Sequence, residues 1–140
     1  MNLGIIEDAK KIETCNEKKE VNGFLIELYK DGQKTLAYLT SIKPGMFKGY
    51  HLHRVRAARY VALKGKMKII LYKDKVREEY TLDSAKPQRL FIPNNIATGL
   101  LNIGEEEAWL INYPSPSYDP NIKDEQVEYT EKELEQGIVK

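Results

Sequence analysis

The chain has 140 residues, 41% hydrophobic and 31% charged, enough to bury a core without covalent staples. Its 22 basic and 21 acidic residues are interspersed and leave a net charge of +1, which argues against a nucleic-acid binder. One cysteine, Cys15, cannot form an internal disulfide, no apolar run reaches membrane-spanning length, and Met1 to Lys10 lacks a signal-type apolar core. The expectation is a single cytoplasmic domain over residues 1–140 with neither nucleic-acid nor membrane partners.

Short β-like segments separated by turn signals follow in chain order. Gly23 to Lys30 reads as a strand closed by Asp31-Gly32, and Thr35 to Ile42 makes a hairpin with it. Pro44-Gly45 turns the chain toward His51 and His53. Arg59 to Leu63 breaks at Lys64-Gly65, Lys66 to Tyr72 follows, and Lys73-Asp74-Lys75 leads into Val76 to Leu82. Leu90 to Ile92 stops at Pro93-Asn94-Asn95, Gly99 to Ile103 stops at Gly104, and Ala108 to Tyr113 is bounded by Pro114. Thr130 to Glu133 has capping-box form, with Gly137 as the helix stop. About eight short strands at regular spacing predict an all-β antiparallel sandwich or barrel, a jelly roll above all, with a short C-terminal helix.

The chain's only two histidines, His51 and His53, stand two residues apart. In a strand, residues i and i+2 share a face, so both imidazoles are expected to look into one space. Arg54, Arg56 and Arg59 follow at once, and titratable groups beside fixed positive charge suit an anionic substrate. The spacing alone is compatible with a metal site, an acid–base site or a structural pair. Metal-binding cupins use a His-x-His pair, a Glu a few residues on, and a later His. Here Val55, Arg56, Ala57 and Ala58 stand where the Glu belongs, no third histidine exists, and the arginines repel a dication, so no metal or other cofactor is expected. Cys15 shows no sign of activation, and no nucleophile elbow or phosphate-binding glycine loop is present. Metal-free acid–base work by histidine, with a tyrosine partner, is what remains.

Lys48-Gly49-Tyr50-His51-Leu52-His53 resembles the Arg-Gly-Leu-His motif of the dTDP-4-dehydrorhamnose 3,5-epimerases, which are metal-free cupins. Gly23 to Glu27 resembles that family's early strand, and Phe91 to Leu100 its Ile-Pro-x-Gly-Phe-Ala-His-Gly-Phe segment. Glu107-Ala108 followed by Ser117-Tyr118-Asp119-Pro120 resembles its Glu-Ala and Tyr-x-Pro elements. The resemblance implies a cupin-type jelly roll (double-stranded β-helix). It also implies a reaction: a histidine removes a proton beside a sugar ketone, basic groups steady the enolate, and a tyrosine returns a proton from the other face.

By motif match His51 is the implied base, Lys48 replaces the family arginine, and Tyr118 is a further catalytic candidate. Asn112 occupies the catalytic tyrosine's position, and the neighbouring Tyr113 belongs to the opposite strand face. Thr98 replaces the histidine of the Ala-His-Gly element, and the aspartate that orients the family's histidine has no counterpart. The sugar-nucleotide 3,4-ketoisomerases carry Arg-Gly-x-His-Ala-His, and the paired histidines and the spacing from His51 to Gly65 are similar to theirs. His53 is therefore a second catalytic candidate.

Substrate-binding candidates are Lys48, Arg59 (on the histidine face if the strand runs unbroken), Glu27, Tyr38 and Asn112. Arg54 and Arg56 alternate away from the histidines and read as surface or subunit contacts, and Trp109 as core or interface packing. The resulting expectation is a cofactor-free isomerase or epimerase of a nucleotide-linked 4-keto-6-deoxy sugar. It would work as a homodimer that covers open sheet edges. The alternatives are a dTDP-sugar 3,4-ketoisomerase and a non-catalytic sugar-nucleotide binder.

Overall fold

The computed structural model describes residues 11–31, 35–116 and 119–140, the side chains of residues 27–31 and 35 excepted. In chain order the strands are β1 Lys11–Cys15, β2 Val21–Asp31, β3 Thr35–Ile42, β4 Phe47–His53, β5 Ala58–Lys64 and β6 Lys66–Lys73. There follow β7 Val76–Asp83, β8 Arg89–Ile92, β9 Ala97–Asn102, β10 Ala108–Asn112 and β11 Gln126–Glu128, and then the helix α1 Glu131–Glu135. They form two antiparallel sheets, ordered β1-β2-β3-β10-β5-β8 and β11-β4-β9-β6-β7. This is the all-β jelly roll that the spacing of turn signals predicts.

The core lies between the sheets. Ile42, Ala58, Ile92, Ala108 and Leu110 from the first sheet meet Met67, Ile69, Leu71, Leu82 and Leu100 from the second. Complete burial of side chains such as Ile42, Met67, Ile69 and Leu110 stabilises the fold by about 1.5–3 kcal/mol each. A second apolar cluster, of Tyr50, Ile70, Tyr72, Ala97, Tyr129 and Leu134, covers the opposite face of the second sheet. Strand β6 is therefore buried on both sides: Met67, Ile69 and Leu71 pack inward while Ile70 and Tyr72 pack outward. That explains why its sequence does not alternate cleanly between apolar and polar residues.

Buried Asn102 closes the turn from β9 to β10. Its amide donates to the carbonyls of Ile42 and Glu106, at 2.8 Å each, and its oxygen accepts from the Gly104 N–H at 2.9 Å. The short helix forms where its capping signal predicts. The Thr130 hydroxyl accepts from the Glu133 N–H at 3.2 Å, and the Glu133 carboxylate accepts from the Thr130 N–H at 2.9 Å. Gly137, at φ +73°, ends the helical turn. Among the described residues no helix is long and apolar enough to cross a membrane.

Candidate active site

The site is built from β4 outward. Its register against β9 runs Phe47 to Leu101 and Lys48 to Leu100, then shifts, resuming at His51 to Thr98. This bulge resets the alternation of side chains. Lys48 and His51, three residues apart, would face opposite ways in a regular strand. Here both line one cavity, together with His53, Arg56, Tyr60, Ile92, Ile96, Thr98 and Leu100. Gly49 makes the bulge possible, at φ +128°. A Cβ there would lie 2.8 Å from the Thr98 carbonyl oxygen and 2.9 Å from the Gly99 Cα.

The cavity, about 60 Å³ at its inner end, opens into a cleft of about 1270 Å³. Tyr38, Asn112 and Tyr60 line the cleft from the first sheet. They are register neighbours across β3, β10 and β5: Asn112 pairs with Tyr38 on one side and with Tyr60 on the other. The first sheet thus places tyrosine hydroxyls on one wall of the space whose other wall carries the two histidines.

Electrostatics differentiates the cationic and titratable groups. Burial lowers the Lys48 ammonium to about 8, against the opposing pull of Glu107. Among the described residues the amine's hydrogen-bond partner is the Phe24 carbonyl, at 3.5 Å, and it is predominantly protonated at neutral pH. Burial also lowers His51 below its ordinary 6.5, with Glu128 opposing and Lys48 assisting, so the imidazole is neutral at pH 7. Burial and the Arg56 guanidinium likewise lower His53.

Strand β11 and the residue before it, Glu125, supply the groups that contact both histidines, the strand pairing Gln126 with His53 and Glu128 with His51. The His51 Nδ1 lies 3.1 Å from the Gln126 amide nitrogen and 3.8 Å from a Glu128 oxygen. A carboxamide turned over can accept from Nδ1–H, and the adjacent Glu128 carboxylate favours that tautomer. Nε2 then carries the basic lone pair. The His53 Nδ1 lies 3.1 Å from Glu125 Oε1 and 3.0 Å from an Arg56 nitrogen, and the Arg56 Nε donates to the same Glu125 oxygen at 2.5 Å.

Glu125 is 7% exposed. Burial works to raise its carboxyl, but the Arg56 and His53 hydrogen bonds together outweigh this and hold it below the ordinary carboxylate value. Arg56→Met would leave that carboxylate with only His53 and the Val55 N–H among its described partners and is expected to cost about 1.5–3 kcal/mol, measured by chemical unfolding at pH 7. The sign reverses in acid. The wild-type contribution is present above the unfolded carboxyl's value of 4.5 and lost as pH falls through the lower folded value. The variant should instead recover part of its deficit as Glu125 protonates.

These contacts do not fit a divalent cation. The Arg56 guanidinium occupies the His53 Nδ1 side and Lys48 shares the cavity, so two positive groups face any metal the imidazoles would hold. Among the described residues no group of three or more histidine, cysteine or acidic side chains is placed to bind one.

The structure brings together Lys48, His51 and His53, with Tyr38 and Asn112 in the wider cleft. It does not bring Arg59 there. The chain leaves the second sheet after His53 and enters the first at Ala58, so the strand is not continuous and its parity is reset. Tyr60 faces inward; Arg59 lies exposed on the outside, 5.5 Å from the Tyr113 ring centroid, with its Nε donating to the Tyr113 carbonyl at 3.2 Å. Arg56, expected at the surface, lines the cavity instead. Trp109 packs edge-on against Phe24, with ring centroids 6.5 Å apart. The Glu27 side chain and Tyr118 lie outside the described residues.

Sequence reasoning also missed Tyr60, Glu125, Gln126 and Glu128. Tyr60 was legible once the strand break was placed between His53 and Ala58. The β11 residues carried no apolar alternation to mark them.

Comparisons with known proteins agree with this architecture. The spore coat polysaccharide biosynthesis protein SpsL of Bacillus subtilis is 25% identical over 130 residues, spanning 84% of this chain and 86% of that protein. The probable low-salt glycan biosynthesis epimerase Agl13 of Haloferax volcanii is 25% identical over 118 residues, spanning 74% and 76%. Among solved structures, the capsular polysaccharide assembling protein CapF of Staphylococcus aureus superposes with a TM-score of 0.71 at 20% identity. That match covers 84% of this chain but 31% of CapF, so the chain corresponds to about a third of that larger protein. An oxalate oxidase superposes at 0.62 with 14% identity, covering 77% of this chain and 58% of its own, which extends the likeness to cupins in fold alone. Residues 18–126 match the polysaccharide biosynthesis C-terminal domain, and the chain belongs to that family.

Proposed function

We propose that the protein is a metal-free epimerase of a nucleotide-linked 4-keto-6-deoxy sugar used in polysaccharide assembly. The observation that carries this reading is the β4 bulge, which sets a protonated Lys48 and a neutral His51 side by side in one cavity. His51 takes the proton from the carbon beside the ketone. Lys48 and Arg56 offset the charge of the enolate oxygen. The cleft beyond exceeds the size of a typical small-ligand pocket and leaves room for a nucleotide. The family match and the names of SpsL and Agl13 support polysaccharide chemistry and, for Agl13, epimerisation.

A second reading, 3,4-ketoisomerisation, draws on His53, which lines the same cavity and could carry a second proton transfer on one sugar edge. NMR of dTDP- and UDP-linked 4-keto-6-deoxyhexoses incubated with the protein in D2O separates the readings. Deuterium at C3, or at C3 and C5, with an inverted product supports the epimerase. Deuterium at C3 with a 3-keto product supports the ketoisomerase. Bound sugar nucleotide with no deuterium would reject both.

The pH profile of exchange should be bell-shaped. Its acid limb follows the neutral imidazole of His51 and lies below 6.5, and its alkaline limb follows Lys48 near 8. Lys48→Arg, with a far more basic side chain, should move only the alkaline limb upward. An alkaline limb that stays in place would remove Lys48 from the titration.

A further inference from the structure

Epimerisation inverts a carbon, so a proton removed from one face of the sugar must be replaced from the other. Lys48, His51 and His53 stand on the second sheet, and the first sheet forms the facing wall. Three side chains of that wall line the cleft in a row, Tyr38, Asn112 and Tyr60. The middle one has no acidic proton, since a carboxamide does not titrate in water. Its oxygen accepts the Arg59 backbone N–H at 3.2 Å. Of the two tyrosines, Tyr60 lines the inner cavity shared with both histidines, whereas Tyr38 lines only the outer cleft. Tyr60 also sits beside Arg56, whose positive charge is felt at the phenol and would stabilise it as the anion. Among the described residues its hydroxyl has no hydrogen-bond partner to compete for the proton.

Resting on the epimerase reading, we infer that Tyr60 is the catalytic acid that reprotonates the enolate on the face opposite His51. The step balances without a redox partner. His51 Nε2 takes the proton as the C–H bond breaks, and the bonding pair becomes the enolate. The Tyr60 O–H bond then breaks, its proton forms the new C–H bond on the opposite face, and the phenolate remains next to Arg56. Water returns a proton to the phenolate and removes one from the imidazolium. Burial raises the phenol to about 12, so it enters the cycle protonated. The inferred acid thus occupies β5, one strand from the position where the resembled epimerases carry theirs, and Asn112 need not be catalytic.

Tyr60→Phe tests this, because it keeps the ring and removes only the proton. With dTDP- and UDP-linked 4-keto-6-deoxyhexoses in D2O, the wild-type protein should give deuterated, inverted product. The variant should still wash deuterium into the starting sugar within about tenfold of the wild-type rate, returned from the His51 side, while inversion falls by roughly 10²-fold or more. A thermal melt within a few degrees of wild type confirms that the core is intact. Inversion at the wild-type rate would overturn the assignment, as would equal loss of exchange and inversion in a folded variant, which would mark a positioning role. Absence of exchange in the wild-type protein itself would instead reject the epimerase reading, and the acid assignment with it.

Discussion

His51→Ala is expected to slow proton exchange at the carbon beside the ketone by roughly 10²–10⁴-fold, the usual contribution of a positioned general base. The argument is local. His51 shares the bulge with Lys48, which is predominantly protonated at neutral pH, whereas the Arg56 guanidinium at the His53 Nδ1 opposes protonation of that second imidazole. Binding should change little, since His51 is one of many groups lining a large cleft. The measurement is deuterium wash-in by NMR at pH 7 alongside binding of the same sugar nucleotide by calorimetry. Less than tenfold loss of exchange would move the base elsewhere, His53 being the first to examine.

Gly49→Ala carries the other large effect, on the fold and the site together. Its backbone sits at φ +128°, a conformation L side chains rarely adopt, and the new methyl would press on the Thr98 carbonyl and the Gly99 Cα. Neither neighbour is the end of a flexible side chain. Backbone strain and overpacking each cost of order 1–3 kcal/mol, giving a combined loss of about 3 kcal/mol or more. For a chain of this size that lowers the melting temperature by roughly 10 °C. If β4 relaxed by abandoning its bulge, Lys48 and His51 would return to opposite faces, so a folded variant should also lose exchange activity. A variant that melts within a degree or two of wild type and retains exchange would show that the bulge is not needed.

Much of the fold was legible because turn chemistry is local. Asp74 and Lys75 adopt positive φ between β6 and β7, where Lys73-Asp74-Lys75 marks a turn, and Thr130 to Glu133 forms its capping box as written. The same locality explains what was not legible. Lys11–Cys15 is a largely exposed edge strand with no apolar side to betray it, and β11 has only three residues. In the site, the facing of His51 and His53 followed from a period of two, which needs no tertiary information. Arg56, Arg59 and Tyr60 did not follow, because their facing depends on where the chain changes sheets. The partners of the histidines did not follow either. Glu125 and Gln126 lie more than 70 positions along the chain from His53 and His51, and only strand pairing reveals them.

The docking of β11 divides the molecule energetically. Gln126 and Glu128, which lie against the His51 Nδ1, arrive on one short strand at the rim of a sheet, and Glu125, which grips His53 and Arg56, immediately precedes it. Rim strands peel at a fraction of the free energy needed to open a core. A transient detachment of this strand would leave β4, β9 and β6 paired while releasing both imidazoles from their partners. The hold on both imidazoles is therefore expected to follow a local opening equilibrium, separate from global unfolding, and amide exchange at Gln126 to Glu128 is where it would be read.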